Sequence, residues 1–324
     1  MKIKIIRIII PTLLLLNGCQ KSTETFLPYY ESQSVINYDT GFYINADNND
    51  FYGKNLAIVK NENNVGGDNT LTSKAVLSVD TITNEIVYAD HVYDRLYPAS
   101  LTKLATALVV LKNAELTDSV TISYNASHIT EPGAKLCGWK EGDVVTMDVL
   151  LHSLLIYSGN DAALAIAEHV GGSEAAFAEM MNDEVRKVGA TESNFINPHG
   201  LHDENHYTTA YDLYLIFNEL IKYDTFRSII ELKEYTATYR TQDGIDQTKS
   251  FQTTNQYLTG TVDIPLNIQV LGGKTGTTSK AGNCLILLSK NQEDHDCISV
   301  ILNAEDSSSL YSQMSHLLLK ENVE

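Results

Sequence analysis

Positive charge is scarce in this chain of 324 residues, which has 23 lysines and arginines against 41 aspartates and glutamates. The formal net charge is −18, and a chain without residues 1–18, which contain three of the basic residues, would carry −21. Such a surface repels phosphate groups, which argues against nucleic acid and against an anionic membrane surface as partners. An anionic substrate would therefore have to be attracted by local positive charge at its binding site.

Apolar runs long enough to span a membrane are also missing. The apolar stretch 8–16 is interrupted by a proline and a threonine, whereas a spanning helix needs about 20 residues. Three basic residues precede this stretch, and together they predict a secretory signal over 1–18. The ending 16–19 resembles a bacterial lipobox, although Asn17 departs from the small or apolar residues that are usual there.

Cleavage before Cys19 would leave this residue lipidated, and two acyl chains would hold the protein stably at the membrane. We therefore expect an extracytoplasmic, membrane-anchored lipoprotein of the cell envelope, with the polar segment 19–70 as its lipidated N-terminus and tether. An ordinary cleaved signal peptide with a stray cysteine is the alternative interpretation.

Cysteine is rare in the remainder of the chain, where only Cys137, Cys284 and Cys297 occur. With three cysteines left, at least one must be unpaired. Cys284 and Cys297 fall on strands that we expect to be neighbours, which leaves a disulfide open. Small buried apolar side chains are the preferred interpretation.

Internal repeats and low-complexity tracts are absent from the sequence, and 71–324 is long enough for one catalytic domain. Short β-rich runs occur near both ends of this domain, and helical patterns fill about 100–232 between them. We therefore predict an α/β (α+β) fold with one antiparallel sheet built from both ends of the chain. Helices pack on this sheet, and the helical region is inserted. The runs assigned to strands are 75–80, 85–89, 269–271, 284–289 and 298–303, and a terminal helix is expected over 307–319.

Ser100 and Lys103 form the first motif with chemical meaning. A serine and a lysine three residues apart lie on one face of a helix, so that hydroxyl and amine can meet. Pro98 suits a helix start, and the run 104–111 is apolar nearly all round, as in a buried helix. The serine is thus predicted at the N-terminus of a central buried helix, where the helix dipole favours negative charge.

Lys103 is placed to activate the serine, because a serine hydroxyl needs a base within hydrogen-bond reach. At its reference pKa of about 10.4 the amine would be almost wholly protonated. Burial and a second nearby cation would both disfavour the charged form, and Lys274 could supply that cation.

Two further clusters support the first, which alone would be a weak signal. Ser158-Gly159-Asn160 follows an apolar run, and the segment 274–277, Lys-Thr-Gly-Thr, follows a predicted strand. Taken singly, the first could be a turn and the second a glycine-rich hairpin. All three clusters occur in the order and context that penicillin-binding proteins and β-lactamases require.

The chain resembles the serine-type D-alanyl-D-alanine carboxypeptidases, the low-molecular-mass penicillin-binding proteins, over about 74–304. This resemblance implies a serine β-lactamase/DD-peptidase-like fold without cofactor or metal. It also implies removal of the terminal D-alanine from peptidoglycan pentapeptides, with β-lactams as covalent inhibitors of the same serine. The balance between carboxypeptidase and endopeptidase activity stays open.

The resemblance also implies a role for each motif residue. Ser100 would attack the penultimate D-alanine carbonyl with Lys103 as its base. Ser158 would relay the proton to the leaving amine, and Asn160 would hold Lys103 and the substrate amide.

The third motif would bind and orient the substrate. Lys274 and Thr275 would bind the terminal carboxylate, and Gly276 would allow close approach of the backbone. The backbone N–H groups of Ser100 and Thr277 would form the oxyanion hole.

Three alternatives remain. A class A-like β-lactamase shares the motifs but uses a Glu-x-x-Leu-Asn loop, which we do not find in this sequence. A non-hydrolytic penicillin sensor would need a partner or a signalling segment, which we also do not find. The third is a zinc site, because several potential ligands crowd into eight positions. These are His199, His202, Asp203, Glu204 and His206.

Overall fold

The computed structural model describes residues 56–60, 64 and 66–322. The predicted signal segment, Cys19 and most of the predicted tether lie outside these residues. No helix in this described part is long and apolar enough to cross a membrane. The segment before Leu71 packs on the domain rather than standing apart, because Ala57 and Val59 are buried in its core.

The strands fall into two antiparallel sheets. The larger sheet has the order β2-β1-β9-β8-β7, and the smaller has the order β3-β4-β5-β6. The strands are β1 (Ala75–Asp80), β2 (Glu85–Asp90), β3 (Ser119–Thr121), β4 (Val144–Thr146), β5 (Glu234–Arg240), β6 (Asp246–Gln252), β7 (Gln269–Thr278), β8 (Gly282–Lys290) and β9 (Asp296–Ala304).

The larger sheet confirms the prediction of one sheet built from both ends of the chain. Strand β1, from the N-terminal part, pairs with β9 from the C-terminal part, so that Ala75 lies opposite Leu302. Successive residues of these strands face opposite sides. Leu77 packs against the helical region, whereas Val76 packs against the C-terminal helix. Both faces are therefore covered, which explains the nearly continuous apolar runs of these strands.

The helices lie mainly between β2 and β5. Several begin at a side chain that accepts a hydrogen bond from the first turn, as Ser173 does from the N–H of Ala176 and Thr209 from that of Asp212. The helices are α1 (Thr102–Asn113), α2 (Tyr124–Ser127), α3 (Met147–His152), α4 (Asn160–Gly171), α5 (Glu174–Lys187), α6 (Ala210–Leu220), α7 (Asp224–Ile230), α8 (Gln256–Thr259) and α9 (Ser307–Lys320).

The smaller sheet was not predicted, and the region assigned to helices over about 100–232 contains two of its strands. Each of these strands, β3 and β4, is only three residues long. Strand β5 begins at Glu234, in a stretch where the sequence analysis assigned no strand. Its residues alternate between exposed and partly buried positions, so it carries no apolar run.

The three cysteines in the described part of the chain are free and buried. Cys284 lies opposite Gly276 of β7, and Cys297 lies opposite Ser289 of β8. The interpretation of Cys284 and Cys297 as small buried side chains is confirmed.

Candidate active site

A cavity of about 350 Å³ lies between the helical region and the edge strand β7. Its walls bring together residues from all three motifs, which are separated by up to 177 positions in the sequence. The predicted site residues that line it are Ser100, Ser158, Asn160, Thr275, Gly276 and Thr277. Lys103 and Lys274 are buried, and their amines reach hydroxyls in the wall of this cavity.

Ser100 lies in a 3-10 turn, Ala99–Leu101, that leads directly into α1. Ala99 has φ +48°, a left-handed conformation that an alanine adopts rarely. Such strain persists only where neighbouring structure enforces it, and it is common beside reactive groups. One neighbour here is Gly200, where an added Cβ would lie 1.9 Å from the carbonyl oxygen of Ala99.

Lys103 is fully buried on the first turn of α1, and its amine has three neighbours. Nζ lies 3.1 Å from Ser100 Oγ, 2.8 Å from Asn160 Oδ1 and 2.6 Å from the carbonyl oxygen of His199. A neutral amine has two N–H donors and one lone pair. It can therefore donate to the two carbonyl-type oxygens and still accept the proton of Ser100.

Burial lowers the pKa of Lys103 to about 7, so that a large fraction of the amine is neutral near neutral pH. The cation that adds to this lowering is Lys135 rather than Lys274. Burial also lowers the pKa of Lys274, to well below its usual range, and the neighbouring Lys103 lowers it further. Lys135 is thus a nearby cation that the sequence did not predict, and the hypothesis that Lys274 also contributes stays a prediction.

The second motif follows a π-helical turn, Ser153–Tyr157, of a kind that is often found at functional sites. Ser158 ends this turn in the left-handed conformation, with φ +75°. Gly159 is required next, because a Cβ there would lie 2.2 Å from the sulfur of Cys137. Asn160 then starts α4, with its side chain on Lys103.

Asp161 holds the loop that precedes this motif. Its carboxylate accepts hydrogen bonds from the backbone N–H groups of Cys137, Gly138 and Trp139 at 2.9, 2.8 and 3.3 Å. The N–H of Asn160 in turn donates to the carbonyl oxygen of Lys135, 2.7 Å away. The loop around Lys135 is therefore fixed to the start of α4.

The third motif lies inside β7, which continues to Thr278, rather than at the end of a strand as predicted. Lys274 Nζ lies 2.9 Å from Ser158 Oγ, which joins the second and third motifs. Thr275 Oγ1 lies 2.5 Å from Thr254 Oγ1. At Gly276 an added Cβ would lie 2.9 Å from the backbone nitrogen of Ser100, so glycine permits the close approach of β7 to the turn that contains Ser100.

A buried hydrogen-bond chain supports the turn that contains Ser100, and the sequence did not predict it. His206 Nδ1 accepts from the N–H of Ile196, so Nε2 carries the proton and donates to Thr102 Oγ1 at 2.7 Å. Thr102 Oγ1 donates to the carbonyl oxygen of Ala99 at 2.8 Å. Burial lowers the pKa of His206 to about 3, which keeps the ring neutral.

The histidines of the hypothetical zinc site contact different residues and do not converge on one point. His199 Nε2 lies 3.3 Å from Glu174, and its Nδ1 accepts from the N–H of Leu201. His202 packs edge-on against Tyr97. Within residues 56–60, 64 and 66–322, no three histidine, cysteine or acidic side chains are grouped to hold a metal ion.

Comparison with known proteins identifies the family in which this set of residues occurs. The model of peptidase family S11, D-alanyl-D-alanine carboxypeptidase, matches residues 60–306. The chain belongs to this family. This chain is 29% identical over 251 residues to the D-alanyl-D-alanine carboxypeptidase DacF of Bacillus subtilis. The aligned residues cover 76% of this chain and 61% of DacF. The chain is 31% identical to DacC of Escherichia coli, covering 77% of this chain and 61% of DacC.

Solved structures agree with the family. The crystal structure of the Streptomyces K15 DD-transpeptidase has a TM-score of 0.72 and 26% identity, over 79% of this chain and 98% of that one. This likeness confirms the predicted DD-peptidase-like α+β fold. The chain spans about three fifths of the length of the two carboxypeptidases with which it is compared.

Proposed function

We propose that the protein is a serine D-Ala-D-Ala carboxypeptidase that removes the terminal D-alanine from peptidoglycan stem peptides. The observation that carries this proposal is the pairing of Ser100 with the fully buried amine of Lys103, 3.1 Å away. A lysine is useful as a base only when it is neutral, and burial supplies that condition here. Family membership supports the proposed substrate class.

Acylation would begin when Ser100 Oγ attacks the carbonyl carbon of the penultimate D-alanine and its proton passes to Lys103 Nζ. The backbone N–H groups of Ser100 and Thr277 would stabilise the oxyanion. The C–N bond would then break, and Ser158 would relay the proton from the Lys103 ammonium to the leaving amine of D-alanine, which returns Lys103 to its neutral form. Lys274, 2.9 Å from Ser158 Oγ, is placed to support that transfer.

Substrate binding would use the same cavity. Thr275 and Lys274 would bind the terminal carboxylate, and a bound carboxylate would favour the protonated form of Lys274. Asn160 would hold the amide of the acyl portion while its Oδ1 orients Lys103. Water would then attack the ester on Ser100 and pass a proton to Lys103, which returns it to the departing Oγ of Ser100.

The β-lactamase alternative requires a carboxylate that activates water at the ester. In the described part of the chain, no aspartate or glutamate lines the cavity. Glu192, in the region where such a base would be expected, pairs with Arg95 at 2.6 Å. General-base assistance is worth about 10²–10⁴-fold. Penicillin should therefore acylate Ser100, and the resulting penicilloyl ester should be hydrolysed slowly.

We also propose that the protein acts outside the cytoplasm and is held at the membrane by lipid on Cys19. The support is the charged and apolar pattern of 1–18 and the lipobox-like ending. Cys19→Ser should move the protein from the membrane fraction to the soluble fraction. Unchanged membrane association would rule out this anchor.

The central test is incubation with a pentapeptide ending in D-Ala-D-Ala, with cross-linked muropeptides and with an amine acceptor, read by mass spectrometry. We expect release of one D-alanine per pentapeptide, and no release by Ser100→Ala. Cleavage of cross-links alone would indicate an endopeptidase, and transfer to the acceptor a transpeptidase. Rapid turnover of penicillin without an adduct on Ser100 would favour the β-lactamase.

A further inference from the structure

One charged side chain lines the active-site cavity. Among the described residues that form its walls, Lys135 is the single lysine, and there is no arginine, aspartate or glutamate. Lys103 and Lys274 are buried and satisfied by internal hydrogen bonds. In a chain with a net charge of −18, an accessible cation at this position is an exception.

The ammonium of Lys135 has no ionic partner within the part of the chain that the structure describes. No carboxylate lies within 4.0 Å of it, and its close contact is the face of Tyr157, whose ring centroid is 4.1 Å from Nζ. The side chain is partly buried, and burial lowers its pKa. A partly desolvated charge without a counter-ion is unfavourable, so an anionic ligand at this position would be stabilised.

The position of Lys135 indicates which part of a substrate would meet it. The backbone carbonyl oxygen of Lys135 accepts a hydrogen bond from the N–H of Asn160. The side chain of Asn160 would hold the amide of the acyl portion of the substrate. The terminal carboxylate would lie instead at the hydroxyl of Thr275 and at Lys274, on β7. Lys135 therefore adjoins the residue that precedes D-Ala-D-Ala.

We propose that Lys135 forms a subsite for a carboxylate on the side chain of the residue that precedes D-Ala-D-Ala. The enzyme thus selects stem peptides with an acidic group at that residue over neutral peptides and over peptides with a lysine there. This inference rests on the proposed function, because it assumes that Asn160 holds the acyl portion. Packing on Tyr157 holds the ammonium in place before the peptide arrives.

The test uses three acetylated peptides of the form X-D-Ala-D-Ala. X is L-2-aminoadipate, its side-chain amide or L-lysine, so that the first two differ only in charge. We expect the wild type to prefer the acid to the amide about tenfold in kcat/KM, the effect of about 1.4 kcal/mol. Lys135→Gln should reduce this ratio to about one, Lys135→Arg should keep it, and Lys135→Glu should favour the lysine peptide.

Lys140→Gln is the matched control, since it removes the same charge from an exposed position five residues away. It should leave the preference intact. Equal kcat/KM for acid and amide in the wild type would overturn the proposal. An equal fall for all three peptides in Lys135→Gln would also overturn it, because Lys135 would then act only through the charge it places near Lys103.

Binding of the same peptides to Ser100→Ala, measured by calorimetry, separates this inference from the proposed function. If the wild type hydrolyses none of the three peptides, the proposed function fails. Tighter binding of the acid than of the amide, abolished by Lys135→Gln, would still support the subsite. Equal binding of acid and amide would overturn it.

Discussion

Two residues beside the reactive hydroxyl adopt left-handed conformations although neither is glycine. Ala99 precedes Ser100 and has φ +48°, and Ser158 faces Lys274 and has φ +75°. Such conformations cost about 1–3 kcal/mol each. Gly200 provides the space beside Ala99, and Gly159, which follows Ser158, leaves room for the sulfur of Cys137. The positions of two hydroxyls are thus fixed before substrate binds.

The state of Lys103 leads to a prediction on pH. Because burial lowers the pKa of this amine to about 7, the fraction of neutral base should rise as pH rises through that value. The second-order rate of acylation by a fluorescent penicillin should follow this rise between pH 5 and 9. Lys103→Ala should lose about 10²–10⁴-fold of the rate.

His206 is one of several titratable groups near Lys103, and burial lowers its pKa to about 3. It should therefore not contribute between pH 5 and 9. An acylation rate that is flat over this range, or that rises only near pH 10, would contradict the assignment of Lys103 as the base.

The motif residues could be predicted from sequence because each lies within a short pattern with its own chemistry. Lys103 follows Ser100 by one helical turn, and its burial follows from the apolar run around it. The contact between Thr102 and His206 could not be predicted, because 104 positions separate them and no local pattern links them. The same limit applies to Lys135, whose loop gives no sign that it reaches the cavity.

At the scale of elements, the loop 195–206 acts as a brace for the start of α1. The carbonyl oxygen of His199 accepts from Lys103, and Gly200 packs on Ala99. His206 completes the brace through Thr102. One loop therefore holds both the proposed base, Lys103, and the turn that contains the proposed nucleophile, Ser100.

We predict that His206→Leu slows acylation while penicillin binding before acylation changes little. The leucine leaves the N–H of Ile196 and the hydroxyl of Thr102 without their partner, which should cost about 1–3 kcal/mol of stability. His206→Gln can bond to both groups and should recover much of the rate. Stopped-flow kinetics separates the binding constant from the acylation rate, and urea unfolding measures stability.

A merely structural role for His206 would give a different result. His206→Leu would then lose stability while its folded fraction acylated at the wild-type rate. The pH midpoint of acylation should stay near 7 in His206→Gln, since Lys103 keeps its burial.

Elements with a continuous apolar run could be predicted from the sequence, and elements with one face exposed to solvent could not. The runs in β8 and β9 are buried on both sides, by α9 and by the helical region, and were assigned correctly. Strands β5 and β6 carry mostly polar residues, because one face of the smaller sheet meets water. Their partners are chosen by tertiary contacts that no local pattern shows.

At the scale of the whole molecule, the C-terminal helix is tied to the larger sheet by one buried carboxylate. Glu321 accepts hydrogen bonds from Ser78, Ser289 and Ser299, which lie on β1, β8 and β9. Burial raises the pKa of Glu321 to about 7, although the three hydroxyls oppose this shift. The nearby Asp80 carboxylate raises it further.

This pKa predicts a pH dependence of global stability. A carboxyl whose pKa is raised on folding stabilises the folded state fully below its unfolded value of 4.5, and this contribution is lost as pH rises through about 7. The loss would reach roughly 3 kcal/mol at pH 8.

Glu321→Gln removes the titration and keeps an amide that can bond to the serines. Its free energy of unfolding relative to wild type, measured with urea, should therefore increase from pH 5 to pH 8. The exposed Glu305→Gln should show no such trend, and parallel curves for Glu321→Gln and wild type would show that the carboxyl titrates as it does in the unfolded chain.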